Sequence, residues 1–334
     1  MKFTNPFKKK KQDFKILSID GGGLKGFFTA YAIKQLKREY GINLFDEFDM
    51  FAGTSIGSFI TIAILEDLDF EKVVSYFEND EYGIFEDKLS LLKMFETKLM
   101  PRYDNKNVKR LISDLAPDTT VAKYSDKVKK PFIFVSQNYS EGTPAVISSK
   151  QFKSLNQRYR NMTVKDAIYS SAAAPFYFEP HKEEYGSMLV DGGLATNNPS
   201  LLSVVLAMSD LKVDYTSIKV LSFGQTFGGD NNYEVKKGKE LIKDPAANPL
   251  SAVINSPLAA RQNLDAFLST AALGDRIFRY QPEKKIEDTS LDYINKEFID
   301  YAKIYWESNK EDLVAFIKGS RDKRYKKGSE KRYN

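Results

Sequence analysis

The sequence predicts an α/β protein built on a parallel sheet, and two repeats of one local pattern predict it. Each repeat is a short apolar run, a glycine-rich turn and a helical stretch. The first is Phe14–Ile19 (FKILSI), then Asp20-Gly21-Gly22-Gly23, then a helix over 24–40. The second is the run 48–52, the turn Gly53-Thr54-Ser55-Ile56-Gly57, and an apolar helix over 58–66. Strand–turn–helix units in succession are how parallel sheets are built. Composition agrees: 42% of the 334 residues are hydrophobic and 28% are charged, enough for a sizeable core and incompatible with wholesale disorder.

Each element has a local reason. Lys34, Lys37 and Arg38 sit in the last turns of the first helix, and Gly41 suits its C-cap. Asp104 is placed to cap a helix through Val108, Leu111 and Ile112. The runs 131–139 and 144–148 read as strands around a Glu141-Gly142 turn. Thr163 caps a predicted helix over 164–171 that stops at Pro175. Strands follow at 188–190 and 218–223. Beyond 230 the pattern is helical, and Tyr293, Phe298, Tyr301, Tyr305 and Trp306 recur at core spacing. The predicted organisation is a basic tail (1–12), a main domain (13–230), a helical part packed on it (231–317) and a second basic tail (318–334).

Composition also excludes functions. With no cysteine and one histidine, His181, there is no thiol nucleophile, disulfide, thiolate zinc site or multi-histidine site, and no metal or cofactor is expected. Residues 1–11 hold five lysines and no acid, and 318–334 hold eight Lys/Arg against two acids. The intervening body is net acidic, so a nucleic-acid-binding fold is not expected. The tails instead suit solvated ends or a weak grip on anionic lipid. The start, MKFTNPFKKKKQDF, has no apolar run behind its lysines, and no stretch reaches a membrane span. A cytoplasmic protein with peripheral membrane contact is the expectation.

Three elements carry chemistry. Gly53-x-Ser55-x-Gly57 between strand and helix makes a tight elbow that pushes the serine oxygen out of the sheet. Its glycines remove Cβ atoms that would collide as the elements pack. Asp20-Gly21-Gly22-Gly23-Leu24-Lys25-Gly26 offers bare main-chain N–H groups at a helix start, suited to an oxyanion or a phosphate. The same letters fit G-x-G-x-x-G with Asp46 twenty residues after Gly26, so a non-enzymatic nucleotide- or anion-binding module is the alternative. A P-loop is excluded, because no lysine follows Gly26. Third, Asp191-Gly192-Gly193 ends an apolar run. A serine hydroxyl needs a base, and a buried aspartate gains basicity, so Ser55 with Asp191 is the favoured pair. His181, in a predicted surface loop, is the only imidazole for a histidine-based alternative.

In this order and spacing the three elements resemble the patatin-like phospholipase family. Supporting motifs are Ser170-Ser171-Ala172-Ala173-Ala174-Pro175-Phe176-Tyr177-Phe178, Asn197-Asn198-Pro199 and Leu221-Ser222-Phe223-Gly224, so the resemblance covers about 14–227. It implies a three-layer sandwich with a mostly parallel central sheet. Ser55 would be the nucleophile, Asp191 the base, and the amides of Gly22, Gly23 and Lys25 the oxyanion hole. It implies a phospholipid or lysophospholipid substrate. Because similar compact chains include bacterial antiphage effectors switched on by a cyclic nucleotide, it also implies a cyclic-nucleotide activator. Lys25 stands where arginine is frequent, and Ile56 and Ser58 replace smaller residues, which implies a narrower acyl pocket. Tyr76, Phe77, Tyr82, Phe85 and Met94, within 67–130, are placed to cover that pocket.

Overall fold

A computed structural model describes residues 13–79, 82–86, 101–225, 249–282 and 291–319, with backbone alone for 249–259. The whole N-terminal basic tail, the C-terminal one beyond Gly319, and Met94 lie outside the described residues. In chain order the elements are β1 (Phe14–Ile19), α1 (Phe27–Tyr40), α2 (Leu44–Glu47), β2 (Met50–Thr54), α3 (Ile56–Leu65), α4 (Phe70–Asn79), α5 (Asn105–Leu115) and α6 (Val121–Val128). Then come β3 (Phe132–Asn138), β4 (Thr143–Ser148), α7 (Val164–Ala172), β5 (His181–Lys182), β6 (Met188–Asp191) and α8 (Ser200–Ser209). The chain continues through β7 (Ile218–Phe223), α9 (Pro249–Leu273), β8 (Ile277–Tyr280) and α10 (Lys296–Lys318).

The strands form one mixed sheet in the order β5-β6-β3-β2-β1-β7-β8, with β4 also paired to β3. The five strands from β3 to β8 along this order are parallel, and β4, β5 and β6 add antiparallel pairs at one end. Apolar residues on both faces of the central strands divide the core. Leu17 and Ile19 of β1 join the cluster under α1, α3 to α7 and α10, whereas Ile16 joins Val204, Leu206 and Ala207 of α8 on the opposite face. This is the expected α/β sandwich of helices, sheet and helices.

The caps behave as their chemistry dictates. Gly41 takes the left-handed conformation at φ 63° after α1. Asp104 accepts the Lys106 N–H at 2.7 Å, and Thr163 accepts the Asp166 N–H at 3.0 Å. The first predicted helix differs: residues 23–26 form a 3₁₀ turn, and the α-helix proper starts at Phe27. The part expected to be helical beyond 230 also supplies β8, which extends the sheet beside β7. Phe298 and Trp306 are buried in α10 as their spacing predicts, but Tyr293 precedes the helix and is exposed.

One register decides where the chemistry falls. β4 runs along one edge of β3 from Ile133 to Asn138. The other edge therefore takes both β2, whose last residue Thr54 faces Val135, and β6, whose last residue Asp191 faces Ser136. β2 and β6 run towards each other along that edge and end at adjacent positions of β3.

Candidate active site

At the end of β2 the chain turns sharply into α3. Ser55 sits at φ 55°, a conformation that costs a non-glycine residue energy and marks a functional turn. The flanking glycines are there because backbone passes too close for a side chain. A Cβ on Gly53 would lie 2.4 Å from the Gly57 oxygen, and one on Gly57 would lie 2.2 Å from the Ile19 oxygen. The elbow is thus held against β1.

The Ser55 hydroxyl donates to Asp191 Oδ2 at 2.6 Å, and both residues are buried. Asp191 Oδ1 accepts the Gly193 N–H at 2.7 Å, which fixes the carboxylate plane. Gly192 is needed because a Cβ there would meet the Val135 oxygen at 2.1 Å. Burial pushes the Asp191 carboxyl up to about 6, against the pull of the hydrogen bonds from Ser55 and Gly193. Its basicity is therefore well above that of an exposed aspartate, yet it remains ionised at neutral pH.

The glycine nest lies across from the elbow. Gly21 leaves no room for a side chain beside Asn197 and Ser55, and Gly26 packs against Ile56. Gly23 and Leu24 line an apolar cavity of about 90 Å³ together with Ser55 and Asp191. Its walls include Ile56, Phe59, Tyr76, Phe77 and Phe85. Three of the residues read as covering the pocket, Tyr76, Phe77 and Phe85, thus line it, whereas Tyr82 does not. Of the amides expected to bind an oxyanion, Gly23 borders this cavity. Gly22 sits one residue back against Gln225, and Lys25 is buried in the 3₁₀ turn with its ammonium lowered to about 8 by burial. Leu24, not singled out from the sequence, also borders the cavity. Its N–H donates to the Leu291 carbonyl at 2.9 Å.

A buried ion pair supports the nest from behind. Asp20 is fully buried, and Arg279 of β8 reaches it at 2.9 Å and 2.5 Å through its two terminal nitrogens. Gln262 of α9 donates to the same carboxylate at 3.1 Å. Arg279, Gln262 and Leu291 come from the last hundred residues, which carry no recognisable motif, and no sequence signal could have found them.

Two alternatives lose their geometry. His181 is not in a surface loop: it belongs to β5, half-shielded beside Tyr169, with Nδ1 3.8 Å from Asp166. Burial lowers its basicity, and no hydrogen bond joins it to Ser55 or Asp191 among the described residues. His181→Ala is expected to leave the labelling of Ser55 by a fluorophosphonate probe largely unchanged. A loss as large as that of Asp191→Ala would return histidine to the mechanism. The dinucleotide reading needs Asp46 near the glycine turn. Asp46 instead lies in α2 ahead of β2, at the opposite end of the parallel strands from the nest.

A strained elbow serine bonded to a strand-end aspartate, with a glycine nest alongside, defines a serine–aspartate dyad protein of the α/β class. The patatin-like phospholipase family model matches residues 17–202, more than half of the sequence, and the chain belongs to that family. It is 27% identical over 233 residues to the cGAMP-activated phospholipase of Escherichia coli (strain TW11681), covering 66% of this chain and 64% of that relative. It is 29% identical over 253 residues to Patatin-2-Kuras 4 of Solanum tuberosum, again covering 66% and 64%. The alignments thus span less than two-thirds of the length of these relatives. Among solved structures, VipD from Legionella pneumophila aligns with a TM-score of 0.48 at 11% identity, over 91% of this chain and 67% of that one.

Proposed function

We propose that this protein is a lipid acyl hydrolase of the phospholipase A or lysophospholipase type, acting on the carboxylic esters of glycerolipids. The observation that carries the reading is the 2.6 Å hydrogen bond from Ser55 to an aspartate whose carboxyl is raised to about 6, both residues lining an apolar cavity. Asp191 takes the hydroxyl proton as Ser55 Oγ attacks the ester carbonyl. Main-chain N–H groups of the glycine nest receive the developing oxyanion, each such donor being worth about 2.7–4 kcal/mol in comparable sites. As the tetrahedral intermediate collapses, the proton on Asp191 passes to the departing alcohol. Asp191 then deprotonates a water that attacks the acyl-enzyme, and Ser55 recovers the proton as the fatty acid leaves. Every step uses side chains and amides of this chain.

The test pairs a fluorophosphonate probe with fatty-acid release from phospholipid and lysophospholipid vesicles. Wild type is expected to be labelled and to release fatty acid, and Ser55→Ala to do neither. Equal labelling of both proteins would overturn the assignment of the elbow.

A regulated form of this activity has its own support. The Leu291 carbonyl holds the Leu24 N–H at the edge of the cavity, so one donor of the nest is occupied by the protein itself. The next residue, Asp292, is tied down by the Tyr103 hydroxyl at 2.5 Å and by Arg102 at 3.3 Å. A closed resting state of this kind suits an enzyme that waits for a signal, and relatives bear the name cGAMP-activated phospholipase. A cyclic nucleotide is the activator in this reading, with an antiphage effector role, a cytoplasmic location and peripheral contact with the membrane.

A further inference from the structure

The segment Ser170-Ser171-Ala172-Ala173 closes α7, and both members of the dyad hang from it. Ser171 is fully buried, and its Oγ makes three contacts: the Ser55 N–H at 2.9 Å, the Ser58 hydroxyl at 2.7 Å and the Val135 carbonyl at 2.5 Å. Proton accounting fixes the direction of each. A carbonyl only accepts, so the single Ser171 hydrogen goes to Val135. A main-chain N–H only donates, so Ser55 gives to Ser171. The Ser58 hydroxyl must then donate as well, and the one hydrogen and two lone pairs of Ser171 are all used. Two residues further on, the Ala173 carbonyl accepts the Asp191 N–H at 3.0 Å.

We infer that Ser171 is a positioning residue for the reaction: its hydroxyl holds the nucleophile's main chain in the strained elbow, at a fixed distance from the base that Ala173 holds. The inference rests on the acyl-hydrolase reading. The elbow conformation at φ 55° persists only if its surroundings over-determine it, and the Ser55 N–H has no other acceptor among the described residues. Removing the hydroxyl takes away the acceptor of that N–H and of the Ser58 hydroxyl, and one donor to the Val135 carbonyl. The Ser55 side chain can then drift from Asp191 without any loss of substrate contact, because Ser171 does not line the cavity.

The test is Ser171→Ala in the full-length protein. The expected result is a fall of about 10- to 100-fold in kcat and in the rate of fluorophosphonate labelling, with KM unchanged, the scale of a sub-ångström to ångström misplacement. The acid limb of the pH–rate profile is expected to move upward, since a weakened Ser55 hydrogen bond no longer stabilises ionised Asp191. Ser203→Ala, which removes an equally buried hydroxyl bonded to the Pro199 carbonyl on α8, controls for lost stability. It is expected to lower the melting temperature without changing kcat. Equal kcat for wild type and Ser171→Ala, or equal kcat loss in Ser203→Ala with no movement of the pH limb, would overturn the positioning role alone. Absence of any Ser55-dependent labelling in wild type would overturn the hydrolase reading with it.

Discussion

Asp191→Asn is expected to lower turnover by about 10³-fold or more while making the folded protein more stable. The replacement has the same shape. Its carbonyl can still accept the Gly193 N–H, and its amide still meets Ser55, so what disappears is the base. The gain in stability follows from the sign of the shift. The carboxyl has an ordinary value of 3.8 and is raised to about 6 by burial. Folding therefore favours the protonated form. That contribution is complete below about pH 4 and is lost as pH rises through 6. At pH 8 the native state carries a buried charge that the unfolded chain would hydrate, a penalty on the order of 1–3 kcal/mol for a shift of roughly two units. The neutral amide of the variant has no such penalty. Thermal melts should show the variant above wild type at pH 8 and the gap closing towards pH 5. The wild-type pH–rate profile should lose its activity below about pH 6. A variant no more stable than wild type at pH 8 would mean that burial does not set the properties of this carboxyl.

Asp292→Ala is expected to raise the basal rate of lipid hydrolysis by about tenfold or more. The hydroxyl of Tyr103 and the guanidinium of Arg102 both bind the Asp292 carboxylate, and Leu291 beside it supplies the carbonyl that occupies the Leu24 N–H. A hydrogen bond to a charged group contributes about 1.5–3 kcal/mol, so its loss shifts a closed–open equilibrium by about 10- to 100-fold. If a cyclic nucleotide is the activator as proposed, the same change should shrink the further gain it produces, because less of the protein remains to be opened. Tyr103→Phe should move both quantities the same way, to a smaller extent. Basal rates equal to wild type in both variants would overturn the view that this contact holds the enzyme closed.

Much of the site was legible because its glycines answer to local demands. Gly53, Gly57 and Gly192 lie where a Cβ would sit within 2.1–2.4 Å of a carbonyl oxygen, so their pattern in the sequence is a direct imprint of close backbone approach. The strands and caps were legible for a similar reason, since apolar runs and capping residues act within a few positions. The pairing of Ser55 with Asp191 followed from the need of a serine for a base and from the resemblance, but its geometry depends on how β2 and β6 register on β3, which no local pattern shows. Arg279 and Asp20 lie 259 positions apart, and neither has a neighbour in sequence that announces the other. β5 is two residues long, too short for alternation to show, and His181 therefore looked like part of a loop. β8 is four residues with an arginine inside, and that arginine turns towards Asp20 instead of the core.

The head-to-head arrival of β2 and β6 on neighbouring positions of β3 makes that strand a ruler. The length of the loops between these elements has no bearing on the gap, so loops that leave β3 and the Ser171–Ala173 segment intact can lengthen or shorten without moving nucleophile or base. A one-residue slip of β6 alone along β3 would do the opposite, offsetting the two by a full strand step of about 3.3 Å and parting them beyond reach of a proton.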